Sequence, residues 1–428
     1  MTIQRIADIA RDRVAGSRAG IASICTAHPM VIETTLRHGG SSGGPVLIEA
    51  TCNQVNQEGG YTGMTPADFR GFVEEIADRV GFARERLILG GDHLGPNPWK
   101  HLPAEQAMDR AEAMIAAYAK AGFTKLHLDT SMGCAGESLA LPDDVTARRA
   151  AGLALAAEAS ADSHQPSYVI GTEVPVPGGA LESIERLDVT SPEAALRTVE
   201  MHRAAFAAAG AEAAFERAVA VVVQPGVEFG NANVIGYRRE RARDLSAVLS
   251  RMPQFVFEAH STDYQSLAAL RALVEDGFAI LKVGPWLTFA LREALYGLDQ
   301  IAAILDPSFS ECGLMKSMER LMTRDPRNWK KYYHGDRADQ RVQRHFSYSD
   351  RIRYYWPNAE AARAVQQLLS FFEGLAIPET LISQYLAASY PAVAEGRLAP
   401  VARDLLATSV RRVLNLYSSA CGSMSDQR

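Results

Sequence analysis

An aspartate and a histidine, Asp92 and His93, stand together directly after a short apolar run. The run Leu87–Leu89 is typical of a buried strand, and the glycine and proline after the pair indicate a break. A carboxylate beside an imidazole can transfer a proton and hold a metal ion. The plainer alternative is a histidine packed under a loop, with an aspartate that caps a neighbouring element. Further polar side chains at the same edge of the fold would favour chemistry.

Eight short apolar segments alternate with helical patterns in the first part of the chain. They are predicted at residues 21–25, 46–50, 87–91, 124–129, 167–173, 218–224, 255–259 and 279–283. Alternating strands and helices imply a parallel sheet, and eight such units close into a barrel. We therefore predict an α/β (β/α)₈ TIM barrel over residues 1–305, with a doubly wound open sheet as the structural alternative.

Residues 306–428 keep helical patterns without further strand patterns, which predicts a helical C-terminal extension. Two of its loops, 329–333 and 349–357, are rich in aromatic and basic residues. They could form a contact between domains, a surface for a partner, or a lid that brings an arginine to an anionic substrate. Packing is the commonest role of such clusters and is the favoured interpretation.

The composition of the 428 residues, with 47% hydrophobic and 22% charged residues, is that of a soluble globular enzyme. A net charge of −6 without a basic cluster argues against a nucleic-acid partner. No apolar run approaches the ~20 residues of a membrane helix. Five scattered cysteines without a C-x-x-C pair indicate a reducing compartment. We expect a cytoplasmic protein without a membrane or nucleic-acid partner.

Polar side chains follow strand after strand. Because a barrel enzyme places its active site at the C-terminal ends of the strands, these side chains are expected to surround one polar mouth. The candidates are Asn53, Gln54, Asp92, His93, Asp129, Ser131, Glu173, Gln224, Glu228, His260, Ser261, Asp263 and Lys282. Among them His93, Glu173 and His260 form a reasonable ligand set for zinc, manganese or magnesium, which leaves Asp92 free for proton transfer.

Common catalytic templates are absent from the sequence. It contains no G-x-x-x-x-G-K-S/T phosphate loop, which disfavours a kinase of the Walker type. No G-x-G-x-x-G follows the first strand for a nicotinamide cofactor. The two G-x-S-x-G matches lie among the loop glycines 39–44, which follow a helical pattern instead of a strand, so they do not form the nucleophile elbow of many hydrolases.

Seven segments carry a resemblance to a known family. They are Ile48–Gln57, Gly60–Phe69, Gly90–Asn97, Gly171–Gly179, Val223–Phe229, Glu258–Tyr264 and Asp350–Pro357. Together they resemble the GatZ/KbaZ family, the Z subunits of tagatose-bisphosphate aldolase, often labelled tagatose 6-phosphate kinases. Some proteins of this family are described as non-catalytic partners of a class II aldolase subunit. Others are described as epimerases that interconvert tagatose 6-phosphate and fructose 6-phosphate at C4.

The barrel is also distantly similar to the class II aldolases. That resemblance implies that Asp92 is the catalytic acid and that His93 and His260 bind the metal. Two departures put ordinary aldolase cleavage in doubt. Gln224 stands where those aldolases have another metal histidine, and Ser261–Tyr264 replaces their glycine-rich phosphate loop.

The chemistry of inversion at C4 limits the mechanism. The C4 hydrogen of a 2-ketose is too far from the carbonyl to be acidic, and transient oxidation needs a nicotinamide site that the sequence lacks. The remaining route breaks and remakes the C3–C4 bond, with a metal stabilising the enediolate and Asp92 moving the O4 proton. We therefore predict a metal-dependent 4-epimerase of a phosphorylated ketohexose, in which the other nine side chains of the mouth bind substrate. The alternative is a non-catalytic subunit that supports a class II aldolase partner, and homo-oligomer formation stays open.

Overall fold

The computed structural model describes residues 6–162, 164–172, 187–311 and 313–422. Its strands are β1 (Ile21–Cys25), β2 (Val46–Thr51), β3 (Leu87–Leu94), β4 (Lys125–Leu128), β5 (Ser167–Ile170), β6 (Ala218–Val223), β7 (Glu228–Phe229), β8 (Val234–Ile235), β9 (Val256–Ala259) and β10 (Ile280–Val283). Strands β1 to β6, β9 and β10 pair in parallel in this order, and β10 closes the barrel against β1. Strands β7 and β8 form a separate antiparallel hairpin. The predicted α/β TIM barrel is confirmed.

Helices follow the barrel strands in turn and then continue without strands. The α-helices of the described ranges are α1 (Ile9–Val14), α2 (Pro29–Ser42), α3 (Pro66–Val80), α4 (Ala104–Lys120), α5 (Asp143–Ser160), α6 (Pro192–Ala208), α7 (Glu212–Phe215), α8 (Arg239–Ala247), α9 (Leu267–Glu275), α10 (Pro285–Leu305), α11 (Leu314–Arg324), α12 (Arg337–Phe346), α13 (Ala359–Phe371), α14 (Glu379–Tyr385), α15 (Tyr390–Ala394) and α16 (Ala402–Cys421). Helices α2 to α6 and α8 to α10 each lie after one barrel strand.

Local sequence signals explain most helix ends. Helix α3 begins at a capping box, in which Thr65 and Asp68 each accept a hydrogen bond from the backbone N–H of the other. The pattern predicts that α2 ends at Gly39–Gly40, but the helix continues beyond them and ends before Gly43, whose φ is 73°. Gly39 stays in the helix because it packs closely on β2, where a Cβ would overlap Cγ2 of Val46.

Apolar side chains close the lower end of the barrel. Ile6, Ile9 and Ala10 at the start of the described chain pack with inward-facing strand residues such as Leu47 and Val256. This plug keeps water out of the lower half of the interior, so the polar interior side chains lie toward the C-terminal ends of the strands.

The C-terminal extension returns to the barrel wall. Its last helix, α16, packs against α2, α9, α10 and β1. The division of the chain at residue 305 stays a prediction. Among the described residues, no helix combines the length and apolarity that a bilayer crossing requires. Cys25, Cys52, Cys134 and Cys421 are free thiols.

Candidate active site

Strand β3 carries the Asp-His pair into the barrel mouth. The pattern predicts an end at Gly91, but the strand continues to Leu94, and its pairing with β4 shifts register between these two residues. His93 lies in the shifted segment with a left-handed backbone, φ 49°, a conformation that costs free energy in a non-glycine residue. Asp92 and His93 are both buried, yet both line one pocket. The irregular strand end thus directs two adjacent side chains into the mouth.

A charged floor of Glu49, Lys125, Glu258 and Lys282 fills the barrel below the pocket. Nζ of Lys125 lies 2.6 Å from Oε1 of Glu49 and 2.7 Å from Oε2 of Glu258, and these three side chains are fully buried. Lys282 also pairs with Glu49. Gly90 makes room for this layer, because a Cβ there would lie 2.6 Å from Oε1 of Glu49. Buried charges need partners, so the pairs fix the floor in place.

Three imidazole rings meet above the charged floor. The ring centres of His93 and His260 are 4.9 Å apart, and His127 lies 5.1 Å from each of them. Nε2 of His260 lies 2.9 Å from Oε1 of Glu258. Burial lowers the pKa of His260 to about 4, so this ring is neutral near pH 7. A neutral imidazole is the form that binds metals.

Asp92 sits beside these rings as an ionised carboxylate. Its Oδ1 lies 2.7 Å from Nζ of Lys282 and 3.0 Å from Nδ1 of His127. Burial alone would raise the pKa of Asp92, but the charges of His93 and Lys282 and the hydrogen bond with His127 hold it well below its usual value. A carboxylate kept ionised in a pocket can accept a proton from a bound hydroxyl group.

The cluster offers donors for a divalent ion. One donor atom each of Asp92, His127, Glu258 and His260 lies within 4.8 Å of the others. Nε2 of His127 is buried and has no hydrogen-bond partner among the described residues, so it is a polar atom that an ion would satisfy. Imidazole and carboxylate donors together suit zinc or manganese. These residues therefore fit the predicted kind of cofactor.

The structure describes two of the three predicted metal ligands, His93 and His260. His260 belongs to the cluster, and Nε2 of His93 lies 3.7 Å from Oδ2 of Asp92 beside it. Glu173 lies outside the described residues. The roles of all three as metal ligands stay predictions.

Five predicted substrate-binding residues line the same inner pocket as Asp92, His93 and His260. This pocket has a volume of about 80 Å³. The five are Asn53, Gln54, Ser261, Asp263 and Lys282. The structure therefore brings together side chains from the ends of β2, β3, β9 and β10, as expected for a barrel mouth.

Asp129 and Ser131 are not among the residues that line the inner pocket. Oδ2 of Asp129 lies 2.7 Å from Nδ1 of His93, and Oγ of Ser131 donates to Oδ1 of Asp129 at 2.9 Å. Asp129 thus orients the ring of His93, and Ser131 in turn orients the carboxylate of Asp129. Substrate contact by either one stays a prediction.

Gln224 and Glu228 are likewise not among the residues that line the inner pocket. Oε1 of Gln224 accepts hydrogen bonds from the backbone N–H groups of Gly226 and Val227 and so shapes the turn after β6. Burial raises the pKa of Glu228 to about 7. Their contact with substrate likewise stays a prediction.

The sequence reasoning did not assign Lys125, His127 or Glu258 to the site. Residues two apart in a strand face the same side, so Lys125 and His127 share the inward face of β4, and Glu258 shares that of β9 with His260. That alternation is the signal that could have identified them. Arg353 lines the pocket from the loop 349–357, for which delivery of an arginine was one of three alternatives. Tyr354 of the same loop contacts the ring of Tyr61, so the loop also packs against the barrel.

Comparison with known proteins identifies the family. Residues 6–422 match the family described as D-tagatose-1,6-bisphosphate aldolase subunit GatZ/KbaZ-like. A D-tagatose 6-phosphate 4-epimerase of Agrobacterium fabrum (strain C58 / ATCC 33970) is 52% identical over 418 residues, which cover 97% of this chain and 98% of the relative. The crystal structure of a probable tagatose 6 phosphate kinase from Sinorhizobium meliloti 1021 is similar with a TM-score of 0.88 and 63% identity, over 94% of this chain and 100% of that one. The chain therefore belongs to the GatZ/KbaZ-like family, as the seven sequence segments imply.

Proposed function

We propose that this chain is a metal-dependent D-tagatose 6-phosphate 4-epimerase, which forms D-fructose 6-phosphate by breaking and remaking the C3–C4 bond. One observation carries the proposal: the ionised carboxylate of Asp92 lies among three imidazoles in a pocket at the barrel mouth. Such a site can take a proton from a sugar hydroxyl and hold a divalent ion beside it.

The relatives support the reaction type. The Agrobacterium protein carries the name of this epimerase and matches nearly the whole chain, which confirms the expectation that the chain is an epimerase. Metal dependence and carbon–carbon bond cleavage are inferred from the site and from the chemistry of C4. A kinase lacks support in the sequence, which has no Walker-type phosphate loop.

Asp92 accepts the O4 proton when the C3–C4 bond breaks and returns it when the bond forms again. The carboxylate accepts the O4 proton while the C3–C4 bond breaks and its electron pair moves to C3, which gives an enediolate and an aldehyde. The aldehyde then turns its other face toward C3. The electron pair of the enediolate forms the new C3–C4 bond, and Asp92 returns the proton to O4. All atoms are retained, so the net change is inversion at C4.

Nearby residues would hold an ion in this site. His127, Glu258 and His260 offer donor atoms next to Asp92, and His93 stands beside them. When bound, a divalent ion supplies positive charge that stabilises the negative charge developing on the ketose oxygens. Lys282, 2.7 Å from Asp92, keeps the carboxylate ionised for its first proton transfer.

A substrate deuterated at C4 tests the bond that breaks. The purified protein, supplied with zinc, manganese or magnesium, should convert this D-tagatose 6-phosphate to D-fructose 6-phosphate with the deuterium retained. The rate should show only a small secondary isotope effect, because C4 becomes an aldehyde carbon while its C4–H bond stays intact. Mass spectrometry and initial rates measure both. A primary isotope effect, or loss of deuterium, would refute bond cleavage between C3 and C4.

Asp92→Asn tests the proton transfer. Turnover should fall by roughly 10²- to 10⁴-fold, while the exposed control Asp109→Asn on α4 keeps the wild-type rate. Circular dichroism checks that both variants are folded. Full turnover by Asp92→Asn would rule out the mechanism.

The family description supports one alternative, a non-catalytic subunit of an aldolase. In that case the isolated chain, with metal, would leave D-tagatose 6-phosphate unchanged. Adding it to a class II tagatose-bisphosphate aldolase would instead raise the activity or the thermal stability of that enzyme. Assaying the chain alone and in the mixture separates the two functions.

A further inference from the structure

Arg353 stands at the boundary between two connected spaces of the barrel mouth. The inner pocket contains Asp92 and His93, and an outer cavity of about 820 Å³ lies beside it, between α2 and the extension helices α13 and α16. The two spaces share the lining residues Cys25, Gln54, Tyr61, Gly284 and Arg353. A ligand whose reacting carbons lie at Asp92 can therefore extend past the guanidinium of Arg353.

Among the described residues, Arg353 has no directly paired carboxylate of the kind that Lys282 has, although Asp263 and Asp350 interact with its charge from a greater distance. Lys282 also lines the inner pocket, but it pairs with Glu49 and with Asp92. Within the described part of the chain, no carboxylate oxygen lies within 4.0 Å of the Arg353 guanidinium. Its Nη groups donate to the carbonyl oxygens of Ser349 and, at 3.2 Å, Asp350, and to the hydroxyl of Tyr354 at 3.2 Å, which leaves Nε and one Nη2 hydrogen free of partners in the described ranges. A cation with spare N–H groups at a cavity wall is suited to bind an anion.

The usual phosphate position of a barrel is already filled by a side chain. Many barrels bind phosphate beside the loops after strands seven and eight, at a helix N-terminus. Here Oδ1 of Asp263 accepts hydrogen bonds from the backbone N–H groups of Gly284, at 3.0 Å, and Trp286, at 2.8 Å, at the start of α10. Because this carboxylate occupies the donors, an anionic substrate group must be bound elsewhere in the mouth.

We propose that Arg353 binds the phosphate monoester of the ketose phosphate and retains the phosphorylated fragment while its aldehyde turns. The inference rests on the proposed function. Cleavage between C3 and C4 leaves the phosphate on the fragment that contains C4 to C6, which is also the fragment that must rotate. An anchor at the phosphate lets the aldehyde turn without leaving the pocket, so Arg353 sets both substrate affinity and the ratio of epimerisation to cleavage.

The C-terminal extension places this anchor. Asp350 holds the start of the turn that carries Arg353: its carboxylate accepts hydrogen bonds from the buried Arg292 and from Thr288, both on α10. On the other side, the ring of Tyr354 lies 4.7 Å from that of Tyr61. The extension therefore completes the substrate pocket.

Arg353→Gln removes the charge and tests the anchor. The KM for D-tagatose 6-phosphate should rise by about 10- to 100-fold, as expected for the loss of charge-assisted hydrogen bonds, and release of triose phosphate should increase relative to epimerisation. The KM for unphosphorylated D-tagatose should stay at the wild-type value. Arg353→Lys, which keeps the charge, should show a smaller rise and serves if the glutamine variant fails to fold. Arg403→Gln, an exposed arginine that lines the outer cavity without lining the inner pocket, is the matched control.

Binding of inorganic phosphate tests the anchor independently of whether the protein catalyses the proposed reaction. Calorimetry should show that the wild-type protein binds phosphate and that Arg353→Gln and Arg353→Lys bind it more weakly, whether or not the wild type interconverts the sugars. An inactive wild type with Arg353-dependent phosphate binding would overturn the proposed function and keep the anchor. Equal phosphate binding by wild type and both Arg353 variants, or an unchanged KM in an active Arg353→Gln variant, would overturn the anchor.

Discussion

Asp129 holds the imidazole of His93 in one orientation, through a 2.7 Å hydrogen bond between Oδ2 and Nδ1. Burial alone would raise the pKa of Asp129, but the hydrogen bond and the charge of His93 lower it to about 2. An ionised carboxylate can only accept, so Nδ1 of His93 carries the proton and donates it to this bond. Burial alone would lower the pKa of His93, but the charges of Asp92 and Asp129 raise it. A metal ion would therefore have to displace the proton from Nε2 before this nitrogen could offer its lone pair. A carboxylate behind a histidine in this way is the common support of a metal ligand.

Asp129→Asn should weaken metal binding while the barrel stays folded. The amide keeps the size of the side chain but loses the charge that fixes His93, and loss of such a support typically lowers metal affinity by about 10- to 100-fold. Titration of the apoprotein with zinc or manganese measures this affinity. Asp144→Asn, at a half-exposed position on α5, is the control and should bind metal as the wild type does. Equal affinities for wild type and Asp129→Asn would remove His93 from the ligand set.

Gly90→Ala should destabilise the protein, because the new methyl group would meet the carboxylate of Glu49 in the charged floor. The Cβ would lie 2.6 Å from Oε1 and 2.8 Å from Cγ of that side chain, and Glu49 is held by Lys125 and cannot easily move. Overpacking of this kind costs roughly 1–3 kcal/mol. Urea denaturation measures the change in the free energy of unfolding.

Gly71→Ala is the matched control for this substitution. Gly71 lies within α3, and a Cβ there meets nothing within 4 Å. Alanine favours the helix over glycine, so this variant should gain roughly 0.5–1 kcal/mol. If Gly90→Ala were as stable as Gly71→Ala, the Glu49 side chain would be able to move away from the new methyl group, and the charged floor would not be rigidly packed.

The barrel was predictable from sequence because each strand is a short apolar run with turn residues at its end. The predicted and observed strands agree within a few residues, as for β1 and β9. The errors arise where tertiary contacts override a local signal. Gly39 continues α2 because it fits against Val46, and β3 extends past Gly91 because its pairing with β4 shifts register.

The polar mouth was also predictable, since each candidate follows a strand and the strands end on one side. The role of each candidate was not predictable. Whether a side chain faces the pocket or supports its neighbour, as Asp129 supports His93, depends on rotamers and on burial that spacing does not encode. Arg353 could not be placed because it is distant in sequence from every barrel strand and reaches the pocket through the packing of the extension.

The pH dependence of stability should reflect buried histidines such as His202. This side chain is fully buried on α6, and burial lowers its pKa to about 4, against about 6.5 in an unfolded chain. Between these values the unfolded state binds a proton that the folded state does not. Stability contributed by the neutral ring is therefore present above about pH 6.5 and is lost as the pH falls toward 4.

His202→Gln isolates this contribution, because glutamine does not titrate. On lowering the pH from 7 to 5, the wild type should lose about 2 kcal/mol more unfolding free energy than the variant does. Denaturant unfolding at the two pH values gives this difference directly. His101→Gln, at an exposed position, should keep the wild-type pH dependence. A wild-type dependence in His202→Gln would show that the ring titrates in the folded state as it does in the unfolded chain.

Asp350 and Arg292 form a buried ion pair that ties the loop 349–357 to α10. Nε of Arg292 donates to Oδ1 of Asp350 at 3.0 Å, and both side chains are almost completely buried. Asp350 has a left-handed backbone, φ 43° and ψ 47°, which asparagine tolerates better than most residues do. Asp350→Asn therefore removes the charge with little added backbone strain, whereas alanine would confound the two effects.

Asp350→Asn should lower the free energy of unfolding by about 3–5 kcal/mol, because it leaves the Arg292 charge buried without its partner. Arg292→Met should cost a similar amount, but the double variant should cost less than the sum, since neither charge is then left alone. Glu395→Gln, which removes the exposed pair with Arg397, should change stability by less than about 1 kcal/mol. Urea denaturation of the four proteins of the cycle gives the coupling energy. If the two single substitutions changed the unfolding free energy additively, each residue would stabilise the extension through its other contacts. The loop that carries Arg353 would then be held by the contact between Tyr61 and Tyr354 and not by this ion pair.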